Sequence, residues 1–474
     1  MLNEKILIRS SIWLGFGSIA HNFLIFILII ILARFGRASE LGIFYTLLHI
    51  FFNVTSSANT LINTMYMKHL RKFAAKKKIE KFREMMSSSI TTSIVYSFFA
   101  MIIFLIMAKF LFLTSSGRGN WFLYTAPLIL AIPFQILSSR IGSSLLLLEK
   151  FKEVVFLQKI LSAVLRLGLV IIFLIVFQFG LYGTIISQSI AIIALGFSAL
   201  FLVKKVIPDF KFKKFELINI KKPSNIGLSI AFSGTILKSI DLITVALLLG
   251  FRSLGHYISV LFLPSLIFTI STSFFTMFYQ VASVAKMRGK DISKSTQLVT
   301  KWMLIIVIIL AFFVIHFADE IVFNLLGHKF DISETTVLLL SLAFSLKAIS
   351  FIANDVLFAF KYYMEGSLIN VISAVVFVST VVFTYKNGTF GIAQAFLFSS
   401  LIEFLLREFY QYKKTGIFPI NRDVIKVILG GGIAGFASYF IPNSIFSYIL
   451  FLMLFLFFLI ITKTLRKKGL FYHV

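Results

Sequence analysis

Gly36-Arg37-Ala38-Ser39-Glu40-Leu41-Gly42-Ile43-Phe44-Tyr45 is a short turn bounded by glycines, and it stands between two long apolar runs, 11–34 and 41–66. A shorter version of it, Gly250-Phe251-Arg252-Ser253-Leu254-Gly255-His256-Tyr257, recurs later in the chain, again between apolar runs. A turn written twice between segments of the same kind points to a chain built as two similar halves.

The surroundings of the turn say what solvent the chain meets. Of 474 residues, 59% are hydrophobic, 16% aromatic and only 14% charged, with a mean hydropathy of +0.96. Soluble domains are about 45–50% apolar and about 25% charged, so the solvent here is lipid. The net charge of +27 does not point to nucleic acid, because Lys and Arg cluster at the ends of apolar runs, as they do in multi-pass membrane proteins. With no cysteine, disulfides, thiolate metal sites and thiol nucleophiles are excluded. The run at 11–34 is too long for a signal-peptide core and is read as a membrane helix.

About 20 apolar residues cross the hydrocarbon layer. Fourteen spans follow, near 11–34, 41–66, 88–113, 121–148, 154–178, 181–203, 225–249, 256–284, 301–325, 335–360, 366–385, 389–411, 424–441 and 444–463. Strongly basic loops (Lys68 to Arg83, Lys204 to Lys222, Lys286 to Lys294, Lys413 to Arg422, and the tail from Lys463) alternate with short ones nearly free of Lys and Arg. Basic loops remain cytoplasmic, so both termini are placed inside and both copies of the turn outside.

The repeat extends past the turn. The second span carries Asn53, Ser56, Ser57, Thr60, Asn63 and Thr64 on one helical face; the eighth carries Ser265, Thr269, Ser273, Thr276 and Gln280 in the same way. An even number of spans separates the two turns, so the halves share an orientation and a pseudo-two-fold along the membrane normal is expected. The predicted architecture is an all-α integral membrane protein. It has a six-helix lobe over 1–205, a basic cytoplasmic linker over 206–224, a second six-helix lobe over 225–412, and two further helices with a basic tail over 413–474.

Charges inside the spans carry the chemistry: Arg140, Lys159, Arg166, Lys238, Asp241, Lys347, Asp355 and Glu403. Each Lys, Arg or Asp at mid-bilayer costs about 2.5–3.5 kcal/mol on insertion scales, so each has to find a partner or a watery cavity. The bland alternatives are helix-packing pairs and snorkelling ends: Lys159 lies near a cytoplasmic end, and Glu403 can pair with Arg407 one turn on. As a group, Arg140, Arg166 and Lys238, with Lys159 and Lys347, suit a basic cavity for an anion such as a phosphate or pyrophosphate. Asp241 and Asp355 are the candidate carriers of a coupling ion, H⁺ or Na⁺. Asn53, Ser57, Thr60, Thr269, Ser273 and Thr276 are the candidate polar lining.

Other signals are weaker. Gly430-Gly431-Gly432-Ile433-Ala434-Gly435 matches a dinucleotide fingerprint in form, but it sits inside an apolar span and is read as a helix-packing seam. His21, His49 and His316 show no metal-ligand spacing and are read as satisfied interior histidines. There is no P-loop, no Asp-x-Asp pair and no loop long enough for a catalytic domain, so neither an enzyme nor a cofactor or metal is expected. The densest outer cluster of acid–base residues is Asp319, Glu320, His328, Asp331 and Glu334.

At the repeated turn the chain resembles a known family. The segment ILARFGRASELGIFYTLL is similar to the first-half turn of polysaccharide and O-antigen flippases, in the multidrug/oligosaccharidyl-lipid/polysaccharide (MOP) exporter superfamily. The segment from Lys238 and Asp241 through Gly250 to Gly255-His256-Tyr257 resembles that family's second-half motif. The resemblance implies a two-lobed, V-shaped bundle working by alternating access in the bacterial cytoplasmic membrane. The implied cargo is a polyprenyl-pyrophosphate-linked oligosaccharide, and a glycan polymerase is an expected partner. The family's function rests on basic cavity residues, and Arg140, Arg166 and Lys238 fill that role here by type; the first span has no Arg between Arg9 and Arg34. The rival readings are a lipid II flippase, a cation-coupled multidrug exporter and, from another class, a membrane-embedded glycan polymerase or ligase.

Overall fold

The structure is a computed structural model, and it describes residues 4–76, 78–114, 121–207, 240–275, 278–287, 291–327, 333–441 and 444–462 with a few single positions between them. The expected linker, Lys238, Thr276, His328 and Asp331 lie wholly or largely outside the described residues, as does the side chain of Ser273. Among the described residues every regular element is helical.

In chain order the helices are α1 (Glu4–Phe35), α2 (Ala38–Ala75), α3 (Ile79–Thr114), α4 (Trp121–Leu146), α5 (Phe151–Val176), α6 (Gly180–Val206) and α7 (Ile240–Phe275). They continue as α8 (Phe278–Met287), α9 (Ser293–Leu326), α10 (Glu334–Ala359), α11 (Tyr363–Thr384), α12 (Gly388–Thr415), α13 (Arg422–Tyr439) and α14 (Ser444–Ile461). Among the described residues, ten stretches are long and apolar enough to cross a membrane. One of them, Tyr363–Thr415, is folded at Tyr385–Asn387 into α11 and α12, and Ile445–Ile461 adds a shorter apolar helix. The outward faces match a lipid solvent: Phe98, Ile102, Ile106 and Phe110 of α3, and Val371, Val375, Val378 and Val382 of α11, recur at helical spacing and are exposed.

The first turn is as tight as its glycine suggests. The Gly36 N–H closes α1 on the Leu32 carbonyl at 2.8 Å, Arg37 is extended, and the Glu40 carboxylate accepts the Arg37 N–H at 3.0 Å. An acid in the first helical turn satisfies an orphan donor and complements the helix dipole. The second turn is tighter still. Helical structure runs through it except at Gly250, whose φ of 80° and ψ of 171° break the helix at one residue. The seventh and eighth spans, expected as separate helices joined by a loop, therefore meet at a glycine kink.

The chain divides by packing into two compact units, Met1–Gly255 and His256–Val474. In the first, the two turns lie against each other. A Cβ at Gly42 would strike the Phe251 carbonyl, and a Cβ at Gly255 would strike the Ala38 carbonyl. Phe251 also packs on Phe112 of α3, with ring centroids 5.3 Å apart. The repeated glycines are thus paired surfaces: each copy of the turn supplies the gap that the other fills.

The internal repeat is visible in which helices touch. In the first unit α4 packs on α2, α3 and α6, and α6 packs on α5. In the second, α10 packs on α8, α9 and α12, and α12 packs on α11. These four pairings recur six helices later.

The last two helices pack on each other and on α9. The glycine-rich stretch in α13 is the seam: Gly430 abuts Phe458, Gly431 abuts Ile308 and Gly435 abuts Phe312. His316 of α9 joins it, with Nδ1 2.9 Å from the Phe312 carbonyl and Nε2 2.7 Å from Ser447 Oγ. Lys301 and Lys426 donate to the Thr464 and Thr462 carbonyls at 3.0 and 3.2 Å, placing ammonium charge at the C-terminal end of α14, where the helix dipole favours it.

Gly42→Val and Gly255→Val should each lower thermal stability in detergent by about 1–3 kcal/mol, the usual cost of overpacking. Gly168→Ala is the control. A Cβ there meets nothing within 4 Å, so a helix-interior Gly→Ala change should leave stability equal or raise it by about 0.5–1 kcal/mol.

Candidate functional site: a cationic cavity in the first unit

Five helices, α1, α2, α4, α5 and α6, enclose a cavity of about 300 Å³. Its wall is mostly polar, with His21, Gln135, Ser138, Ser139, Gln158 and Ser162, and includes the apolar side chains of Phe52 and Leu195. Lys159 and Arg166 are its two cations, and no carboxylate belongs to the wall among the described residues.

The local structure of α5 shapes this site. The helix is α-helical over Ser162–Val170 but π-helical over Phe156–Leu161 and again over Ile171–Val176. A π-turn carries more residues per turn than an α-turn, so it shifts the phase of the side chains. Gln158 and Lys159 belong to the first π-turn, while Arg166 lies between the two. Simple heptad spacing put Lys159 and Arg166 on one face; the structure brings both to the cavity wall, with Gln158 and Ser162 beside them.

Neighbouring helices pin this geometry. His21 Nδ1 is 3.1 Å from the Lys159 carbonyl; a carbonyl only accepts, so Nδ1 donates. Gln158 Nε2 donates to the Ser138 carbonyl at 2.9 Å, and its amide occupies the space left by Gly142 of α4. The Arg166 guanidinium stacks 4.9 Å from the Phe52 ring centroid, is only 7% exposed, and its Nε has no hydrogen-bond partner among the described residues. A buried donor left unpaired costs about 1–3 kcal/mol or more when charged, so the site is arranged to receive an acceptor.

Arg140, grouped with these residues by sequence, is placed elsewhere. It is fully buried, with Nε donating to Ser89 Oγ at 3.0 Å and Nη1 donating to Asn63 Oδ1. Its guanidinium lies 5.9 Å from the Tyr66 ring, whose hydroxyl is bonded to Thr92 at 2.7 Å. This network ties α2, α3 and α4 together. The polar face of α2 behaves similarly: Ser57 and Thr60 donate to the Asn53 and Ser56 carbonyls at 2.9 Å, and neither Asn53, Ser57 nor Thr60 belongs to the cavity wall. Asp241 is buried within electrostatic reach of Tyr45 near the first turn.

In the second unit the predicted residues separate. Lys347 sits 4.0 Å from the Phe396 ring centroid. Thr269 is half-buried on α7. Asp355 belongs to a different group, centred on Arg407 of α12. Arg407 pairs with Glu403 at 2.6 Å and donates to Asn370 Oδ1 at 2.7 Å, with Asp355 and Glu408 close by. Asp355 accepts the Tyr279 backbone N–H, while its Oδ2 has no hydrogen-bond partner among the described residues. Of the outer acidic cluster, Asp319 and Glu334 are neighbours.

His21, Gln135, Ser138, Ser139, Gln158 and Ser162 were not singled out as binding residues by sequence. Gln158 and Ser162 flank Lys159, Ser138 and Ser139 immediately precede Arg140, and His21 has no cation close to it in its own helix. Proximity to these cations was the available signal.

Asn63→Ala strands the Arg140 Nη1 donor and should destabilise the protein by about 1–3 kcal/mol. Replacing both residues, Arg140→Met with Asn63→Leu, should recover much of that loss, because an apolar pair leaves no buried charge. Thermal unfolding in detergent measures both.

Solved structures share this fold. The lipid II flippase MurJ, in an inward closed conformation, matches with a TM-score of 0.71 at 17% identity, covering 97% of this chain and all of that one. An outward-facing multidrug resistance MATE family transporter of the MOP superfamily matches with a TM-score of 0.60 at 13% identity, over 86% of this chain and 96% of that one. MATE in complex with MaD5 gives 0.63 at 13% identity, over 86% and 95%. No protein-family profile and no curated protein sequence matches the chain. The chain therefore has the helical fold of the MOP-type transporters.

Proposed function

We propose that the protein is a flippase that moves a polyprenyl-(pyro)phosphate-linked oligosaccharide across the cytoplasmic membrane, for assembly of a surface polysaccharide. The observation that carries the proposal is the cavity wall in the first unit: Lys159 and Arg166 stand among polar side chains, with no carboxylate beside them among the described residues. Two cations of different geometry, a guanidinium fork and an ammonium point charge, suit the oxygens of a phosphate or pyrophosphate. The amides and hydroxyls of Gln135, Ser138, Ser139, Gln158 and Ser162 offer the donors and acceptors that sugars require. The polyprenyl chain stays in lipid while the headgroup crosses.

A membrane potential, negative inside, helps this cargo outward. Moving one charge through 100 mV is worth about 2.3 kcal/mol, so a headgroup with two negative charges gains about 4.6 kcal/mol. No ATP site is needed for that bias. Lys238 supplies a further cation in this proposal, and Asp241 and Asp355 are its candidate ion carriers.

A second reading, a lipid II flippase, is favoured by one observation: the match to MurJ spans nearly the whole chain. It differs in cargo alone and uses the same cations. The drug-exporter reading finds less support, because a cavity for cationic drugs calls for carboxylates, and this wall has none among the described residues.

Lys159→Glu and Arg166→Glu, purified in proteoliposomes, should each slow translocation of a fluorescent lipid-linked oligosaccharide at least tenfold. Lys159→Arg and Arg166→Lys should keep transport within a few fold. Running lipid II beside the oligosaccharide decides between the two cargoes, and equal rates for the charge-reversed and native proteins would reject both.

A further inference from the structure

Among the described residues, His21 is the one titratable side chain in the cavity wall other than the two cations. Resting on the anion-binding reading above, we propose that His21 makes this a proton-linked site, in which a bound dianion and a proton on His21 Nε2 stabilise each other. The geometry assigns the ring atoms unequally. Nδ1 is committed as a donor to the Lys159 carbonyl, so Nε2 is the atom free to gain or lose a proton.

The charged neighbours are few. Lys159 and Arg166 of α5 are the groups that act electrostatically on His21. Among the described residues α2 also packs on α1, and it contributes Phe52 to the wall and no charged group. Toward the other end of α5, Lys152 stacks on Trp13 of α1 at 5.2 Å, two turns before His21. Among the described residues no carboxylate lies in the wall, so the negative charge that would pair with an imidazolium comes from the ligand. An anion held by Lys159 and Arg166 supplies it, and the imidazolium then adds a third donor to the anion's oxygens. Linkage makes the effect reciprocal: whatever factor the proton adds to anion affinity, the anion adds to proton affinity.

The hydrogen bond to α5 gives the coupling a mechanical path as well. The carbonyl that His21 holds belongs to Lys159, within the π-turn, so His21 grips the same turn that places the ammonium. A bound anion thus engages α1 and α5 together.

The test counts protons. Sulfate is the first probe, because it is a dianion that does not titrate between pH 6 and 8; farnesyl pyrophosphate is the second, as a lipid-linked pyrophosphate. Calorimetry of the full-length protein in buffers of different ionisation enthalpy should show net uptake of up to one proton per sulfate bound. Affinity should strengthen by up to tenfold per unit fall in pH, the limit for one linked proton. In His21→Asn, whose amide can still donate to the Lys159 carbonyl, the uptake and the pH dependence should vanish, whatever the absolute affinity. Sulfate binding to the native protein without uptake, or uptake that persists in His21→Asn, overturns the inference and leaves the cationic site standing. No binding of either probe, or binding unchanged in Lys159→Gln with Arg166→Gln, overturns the anion-site reading itself. Tighter binding of the prenyl probe than of sulfate identifies a lipid-linked source, and equal binding identifies a free oxyanion; the same proton linkage at His21 is expected in either case.

Discussion

A guanidinium placed in a membrane helix costs about 2.5–3.5 kcal/mol even on lenient scales, and the protein has to answer for each one. This chain gives two answers within one unit. Arg140 is bonded through Nε and Nη1 to Ser89 and Asn63 and lies against the Tyr66 ring, so it ties three helices together, with Nη2 unpartnered among the described residues. Arg166 is held by one aromatic face and otherwise turned to a cavity, with Nε unpartnered among the described residues. Both guanidiniums keep one unpartnered nitrogen among the described residues, so what separates them is access: Arg140 lies outside the cavity wall and Arg166 belongs to it. The second faces a polar cavity that an acceptor can enter.

The second unit repeats the packing order of the first with different chemistry. Where the first unit sets cations in a carboxylate-free wall, the second surrounds Arg407 with Glu403, Glu408, Asp355 and Asn370. The same six-helix plan therefore carries a basic site in one copy and an acid-rich one in the other.

Much of this was legible in the chain because lipid enforces simple rules. Apolar run length located α1 to α6 and α9 to α14, and the repeated glycine turn announced two halves. The glycine stretch of α13 read as a seam and is one. The pair Glu403–Arg407 sits where one helical turn would put it. What sequence could not supply was proximity between helices far apart in the chain. His21 and Lys159 are 138 positions apart, and no spacing rule links them. Nor does α-helical periodicity anticipate the π-turns of α5, which set the phase of Gln158 and Lys159. Arg140 and Arg166 look alike as isolated letters; only Asn63 and Ser89, on two other helices, separate their roles.

The central claim is that the phosphate-bearing headgroup enters the cavity of the first unit. Photo-crosslinking from inside that cavity tests it most directly. A benzoylphenylalanine at Ser139, in the wall, and another at Ser345, on α10 of the second unit, would be irradiated in cells making the radiolabelled lipid-linked glycan. The account predicts capture of glycan from position 139, suppressed when Lys159 and Arg166 are reversed to Glu, and much less from position 345. Equal capture at the two positions, or capture at 139 that ignores the charge reversal, would contradict it.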